Sequence, residues 1–268
     1  MQTQPQRATR YTEEFEYRDL SENDVRRYEE EGYLLLGRTL TDEGLETMRR
    51  QCMEVWRTEK GDYAEEKTWL ENALLPNIHV PCESVRRYYW NGPLVDVAQR
   101  LIGSNIKATS SQLTFKMRGN TQSFAWHQDS LYAQLDPDNA MTTLTALDDV
   151  DESNGCLWII PGSPRRGRID IQYTLEDKLA QKEINVDVDE SESIPVPMAA
   201  GEGLVFHNWM LHKSEGNRSM DRDRRVLFLR YADADAVEVY NDRKPRLGRL
   251  LRGETVFPEV ETFEADLR

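Results

Sequence analysis

Hydrophobic positions along the chain recur first at helical spacing and later at strand spacing. Ser21 followed by Asp24 has the form of a capping box, and Val25 and Tyr28 continue at helical steps until Gly32, which ends the helix. Tyr33-Leu34-Leu35-Leu36 reads as a short apolar strand. Thr41 caps a second helix reaching about Lys60, with Leu45, Met48, Cys52 and Trp56 on one face. The stretch from Tyr63 to Arg87 is irregular and is broken by Pro76 and Pro81. A third helix runs from Leu94 to about Ile102, between Gly92-Pro93 and Gly103. Residues 1–20 show no period and are expected to form a loose arm.

From Ile106 the period becomes two. Residues 107–116 read as a strand and Gly119-Asn120 as a turn. Further strands are expected near 142–147, 155–160, 194–198, 203–207 and 226–231, between loops rich in Gly, Pro, Asp, Asn and Ser. Helices first and strands afterwards predict an α+β chain with an antiparallel barrel or jelly roll as its core. No repeat, linker or low-complexity tract divides it. The expectation is one domain over 21–268: a helical part to about 103, a β core from 104 to about 240, and an extension over 241–268.

Composition narrows the function. At 268 residues the chain can bury a full core, and it has no apolar run approaching the roughly 20 residues that span a bilayer. Its polar start, Met1-Gln2-Thr3-Gln4-Pro5, lacks a secretory apolar segment, so a cytoplasmic protein is expected. Cys52, Cys82 and Cys156 form no close-spaced motif and read as buried thiols. A net charge of -14 argues against nucleic-acid and anionic-membrane partners and favours a neutral or cationic small molecule over a polyanion. Monomer and homodimer both stay open.

The candidate chemistry centres on Trp126-His127-Gln128-Asp129. On an extended strand His127 and Asp129 would project to one face and Gln128 to the other, so an imidazole and a carboxylate could share a metal ion. His212 is the candidate third ligand. Two His and one carboxylate on one side of a metal form the facial triad of non-haem Fe(II) oxygenases, although Zn²⁺ and Mn²⁺ suit the same ligands. His207, five residues before His212, reads as a structural hydrogen-bonded histidine, and His79 is a candidate for lining a substrate cavity. Trp126, Tyr132 and Trp158 read as core or barrel-mouth aromatics. The run Asp148-Asp149-Val150-Asp151-Glu152 lacks the ligand spacing and glycine of an EF-hand loop and reads as solvated. Gln112 and Lys116 lie on the inward face of the strand 107–116, where they could contact co-substrate or substrate.

Several of these stretches together resemble the phytanoyl-CoA dioxygenase family of Fe(II)- and 2-oxoglutarate-dependent oxygenases. They are Lys116, Trp126-His127-Gln128-Asp129, the block from Asp151-Glu152-Ser153-Asn154-Gly155-Cys156 to Pro161-Gly162-Ser163, and His212-Lys213-Ser214 with Asn217 and Arg224-Arg225. The opening Glu31-Gly32-Tyr33 is similar too, so the likeness runs from about Ser21 to Tyr231. It implies a double-stranded β-helix, a cupin-like jelly roll with helices packed outside the main sheet. It also implies Fe(II) held by His127, Asp129 and His212, with 2-oxoglutarate and O₂ as co-substrates. Because halogenating relatives have Ala or Gly in place of the carboxylate, Asp129 favours hydroxylation of an unactivated C–H bond, with succinate and CO₂ as co-products. Ring closure, orthoester formation and desaturation use the same oxidation and stay open.

The family grips the far carboxylate of 2-oxoglutarate with an arginine on the strand after the distal histidine. Arg224 aligns best, with Arg225 the alternative because the loop 217–223 looks one residue longer than usual; Ser214 resembles the hydroxyl that assists. The expected substrate is a small metabolite of a biosynthetic pathway, specialised metabolism first, or of a catabolic one. Two other classes would keep the triad or the barrel: a Zn²⁺-dependent jelly-roll enzyme and a binding barrel without chemistry.

Overall fold

The first helix is set by its caps. Ser21 Oγ accepts from the Asp24 amide, the Asp24 carboxylate accepts from the Ser21 amide, and Gly32 ends the helix at φ 79°. In this computed structural model, which describes residues 9–61, 67, 69–180 and 182–267, that helix is α1 (Glu22–Glu31). Next come β1 (Tyr33–Arg38) and α2 (Asp42–Glu59), the latter capped by Thr41. Leu45, Met48, Cys52 and Trp56 are all buried on α2, each large side chain contributing about 1.5–3 kcal/mol of burial free energy. A helix that the sequence reading left irregular, α3 (Glu83–Asn91), precedes α4 (Pro93–Ile102). Between α2 and the expected third helix the chain thus carries α3 and, before it, the short helix Trp69–Ala73.

Two antiparallel sheets follow. The larger contains, in spatial order, β10 (Arg249–Arg252), β2 (Ile106–Lys116), β9 (Arg224–Asp233), β4 (Ala140–Ala146), β7 (Glu202–His207) and β1, and the short strand Leu74–Pro76 also pairs with β2. The smaller has the order β6 (Ile194–Val196), β5 (Leu157–Ile159), β8 (His212–Ser214) and β3 (Phe124–His127). Alternation along β9 divides the core. Leu227, Leu229 and Tyr231 pack with α2, α3 and α4, whereas Val226 joins Leu144, Leu157, Ile159, Leu204 and Phe206 between the sheets. The fold is therefore α+β, a double-stranded β-helix with helices outside its larger sheet.

Both ends depart from expectation. Residues 9–18, expected to be a loose arm, include the paired strands Thr9–Tyr11 and Glu16–Arg18, and Phe15 is buried beside Tyr88; residues 1–8 lie outside the described residues. The extension over 241–268 supplies β10 to the large sheet and a short helix, Pro258–Thr262. Among the described residues no helix is long and apolar enough to cross a membrane.

Candidate active site

The register of the small sheet sets His212 directly opposite His127, with ring centroids 4.2 Å apart. Asp129 arrives differently from the sequence expectation. β3 stops at His127, Gln128 turns the chain, and Asp129 opens a one-turn helix, α5 (Asp129–Tyr132). Gln128 does face away: its side-chain amide donates to Gly167 O and Trp209 O, and its Oε1 accepts from the Ile169 amide. Those three bonds fix the turn that brings the Asp129 carboxylate beneath the two imidazoles. Asp129 Oδ1 lies 3.9 Å from His127 Nε2 and 3.8 Å from His212 Nε2. One potential ligand atom from each residue falls within 4.8 Å of the others.

The hydrogen bonds around the triad prepare it for a cation. His127 Nδ1 donates to Ala125 O (2.7 Å) and His212 Nδ1 to Met210 O (2.9 Å), since a carbonyl can only accept. Each ring thereby keeps its Nε2 lone pair toward the centre. Burial holds both imidazoles neutral, pushing His127 down to about 3 with His212 adding to the effect, and shifting His212 downward as well. Burial pushes the Asp129 carboxyl up, but the Arg230 guanidinium, helped by the Thr142 hydroxyl, outweighs it and keeps the group well below the usual carboxylate range. Asp129 Oδ2 accepts from the Thr142 hydroxyl and lies 3.3 Å from Arg230 Nε. Two neutral imidazoles and an ionised carboxylate make a donor set that suits ferrous iron.

A second group of polar side chains lies deeper, at the ends of β2 and β9, where Arg224 pairs with Lys116 in register. Arg224 is 1% exposed, its Nε and Nη1 have no hydrogen-bond partner, and burial pulls its pKa down to about 10. Arg225 is on the other face, where it pairs with Asp148 through Nε (2.8 Å) and Nη2 (2.5 Å). Lys116 is 0% exposed and its ammonium is fully engaged, donating to Ser214 O, Ser214 Oγ and Glu215 O. It is buried inside the barrel, and it holds Ser214 in place. A small hollow of about 60 Å³ adjoins the triad, bordered by Gln112, Thr114, Leu157, Phe228 and Ser214, the residue that Lys116 holds.

The sequence block 151–163 braces the strand bearing His212. Asn154 closes a tight turn by donating to Asp149 O and accepting from the Asp151 amide. Gly155 follows at φ 86°, where a Cβ would stand 2.4 Å from Glu215 O, so only glycine allows the approach. Ser163 Oγ accepts from the Leu211 amide on the other side. Asn217 donates to Lys116 O and Arg222 O and shapes the loop into β9.

A cavity of about 500 Å³ opens above the triad, with Gln112, His127, Asp129, Tyr132, Thr142 and Arg230 in its lining. Arg230 was not singled out by the sequence reading, although it shares the strand face of Arg224. His207 accepts from the Trp209 amide and packs on Trp209, as a structural histidine would. His79 does not line the cavity; Ser111 and Glu264 hold its two ring nitrogens on the helical side. Tyr132 stands at the cavity wall edge-on to His127, while Trp126 is core and Trp158 packs against it.

A jelly roll with a 2-His-1-carboxylate group at its mouth is the arrangement of a non-haem Fe(II) oxygenase. Comparison with known proteins agrees. The family profile for phytanoyl-CoA dioxygenase (PhyH) matches residues 28–226. The L-proline trans-4-hydroxylase of Streptomyces griseoviridis is 24% identical over 82% of this chain and 90% of that protein. Phytanoyl-CoA dioxygenase 1 of Oryza sativa subsp. japonica is 30% identical, but over 48% of this chain and 45% of its own length. Among solved structures, the non-heme alpha-ketoglutarate-dependent carbocyclase SnoK from nogalamycin biosynthesis superposes with a TM-score of 0.68 at 26% identity, covering 88% of this chain and 95% of that one.

The chain belongs to the phytanoyl-CoA dioxygenase (PhyH) family. It is an Fe(II)- and 2-oxoglutarate-dependent oxygenase, with O₂ as the other co-substrate.

Proposed function

We propose that this enzyme hydroxylates an unactivated C–H bond of a small metabolite in the cytoplasm, with His127, Asp129 and His212 holding Fe(II) and Arg224 anchoring 2-oxoglutarate. The observation that carries the reading is the pair of buried cations, Arg224 and Lys116. No carboxylate among the described residues forms an ion pair with either, and two Arg224 nitrogens lack any partner. An isolated buried charge costs several kcal/mol, which a dicarboxylate entering from the triad side would offset. Ser214 completes the anchor: its Oγ accepts from Lys116, which leaves the hydroxyl proton free for a carboxylate oxygen. Gln112 borders both the hollow and the cavity, at the boundary between co-substrate and substrate.

Bound Fe(II), 2-oxoglutarate and O₂ together supply the oxidant that removes a hydrogen atom from the substrate, with succinate and CO₂ as co-products. The chain's own residues supply position and environment. His127 and His212 present neutral Nε2 lone pairs, and Thr142 and Arg230 hold the Asp129 carboxylate toward them. Asp129 would supply the carboxylate ligand whose absence makes room for a halide, which supports hydroxylation over halogenation. Leu157 borders the hollow beside the triad and the Phe206 ring packs 4.8 Å from that of His212, so apolar surface backs the ligands on that side. The three cysteines are free and buried, in keeping with a reducing compartment.

Succinate formation across a metabolite panel, read together with product mass, tests the reaction. Hydroxylation predicts succinate release that depends on one compound, which gains one oxygen atom. A product that loses two hydrogens and gains no oxygen would replace hydroxylation with ring closure or desaturation, the direction in which the likeness to a carbocyclase points.

A further inference from the structure

We propose that the substrate carries a single carboxylate-type negative charge, received at the outer wall of the large cavity by Lys178 and Arg246. The proposal rests on the reading of the metal site given under Proposed function and adds the substrate's class. Over the whole chain acidic side chains outnumber basic ones, 48 to 34. The cavity inverts that balance: Lys60, Lys178, Lys182, Arg230 and Arg246 line it against three carboxylates, one of which is Asp129. Local charge, rather than net charge, decides what enters a cleft with low-dielectric walls.

Three of the five cations are accounted for. Lys182 pairs with Asp177 at 3.0 Å, Arg230 pairs with Asp129, and Lys60 donates to Glu71 O beside that residue's carboxylate. Lys178 and Arg246 are different, because together they have one acid between them. Arg246 Nη1 holds Glu238 Oε1 at 2.6 Å. Lys178 donates to the Tyr240 hydroxyl and sits 4.4 Å from that ring's centroid, with no carboxylate of the described residues within ion-pairing distance. Lys107, buried nearby, is spent on Ala234 O and Ala236 O, with Asp233 and Asp235 as further acids around it.

The crowding of like charge is visible at Lys178, where burial and then Arg246 push the ammonium down to about 8. A bound anion would relieve both. At this wall Lys178 and Arg246 face the single carboxylate of Glu238, and Glu183, the remaining carboxylate of the lining, lies beside Tyr132 and pairs with neither, so one cation here has no acid of the described residues within ion-pairing distance and suits one negative charge on the ligand. The cavity is of a size that holds small-molecule ligands. Leu74, Leu135, Met141 and Tyr173 line it, so an apolar body can extend from the anion toward the triad.

Three probes of equal size and unlike charge test this: 3-phenylpropanoate, 3-phenylpropanamide and 3-phenylpropylammonium. Each is titrated by calorimetry at neutral pH into oxygen-free enzyme loaded with Fe(II) and saturating 2-oxoglutarate. The carboxylate should bind about tenfold more tightly than either of the others. Lys178→Gln should abolish that preference, and Lys178→Arg should retain it. Equal binding of the three, tighter binding of the ammonium, no binding of the carboxylate, or an unchanged preference in Lys178→Gln overturns the proposal. The visible band of bound 2-oxoglutarate is read in the same wild-type samples. Its absence there would fault the metal-site reading, whereas its presence without charge preference faults this inference alone.

Discussion

Arg224→Gln is expected to weaken 2-oxoglutarate binding about 100-fold, within the range of roughly 2–5 kcal/mol for losing one partner of a buried charge pair. Arg225→Gln is expected to change it less than about threefold, because its guanidinium is already held by Asp148 on the opposite strand face. Neighbouring residues of one strand are thus assigned opposite roles by parity. Arg224 turns into the barrel with two nitrogens unsatisfied, and Arg225 turns toward the helices. Calorimetric titration of the Fe(II) protein in the absence of oxygen checks both. Equal losses would mean that the anchor lies elsewhere. Because removing a buried, unpaired charge also lifts a desolvation cost, Arg224→Gln should unfold at a temperature no lower than wild type when 2-oxoglutarate is absent.

The second large effect is on metal. His212→Ala should lower Fe(II) affinity by more than the roughly 10–100-fold lost when a group that merely orients a ligand is removed. Thr142→Val, which deletes the hydroxyl donating to Asp129, should fall within that smaller range. Thermal unfolding with and without Fe(II) separates ligation from folding. The wild-type protein should gain stability on adding metal, as any native-state ligand requires. His212→Ala should lose that gain while its metal-free unfolding temperature stays near wild type. A large fall in the metal-free protein, with the gain intact, would make His212 a packing residue.

Much of this site could be read from the chain because its parts sit at fixed local offsets. Ser21 with Asp24, Thr41 with Gly44, and Gly32 at a left-handed C-cap are short-range features whose physics is complete within one turn. His127 and His212 were legible as candidate ligands, yet their meeting depends on strand register, which no local pattern states. Asp129 was identified with the wrong local structure: alternation predicted a continuing strand, and the side-chain bonds of Gln128 to a distant loop turned the chain instead.

The misses have similar causes. The helix α3 opens at Cys82, which makes no side-chain cap, so no N-terminal signal marked it, although Val85, Tyr88 and Tyr89 carry the helical spacing of its buried face. The strand β10 is flanked by arginines and half-buried throughout, as suits an edge, and so shows no alternation to detect. Arg230 stood on the same face as Arg224 from the outset, but only the fold shows that it reaches Asp129. Lys178 and Arg246 lie 68 residues apart in sequence, so their shared place at the cavity is legible only in three dimensions.

The most direct test of the account is an oxygen-free titration of the Fe(II)-loaded protein with 2-oxoglutarate, followed in the visible for the metal-to-ligand charge-transfer band. The account predicts a band that saturates at one 2-oxoglutarate per chain and is missing from His212→Ala. Iron that binds without producing the band, or a band that persists in His212→Ala, would contradict it.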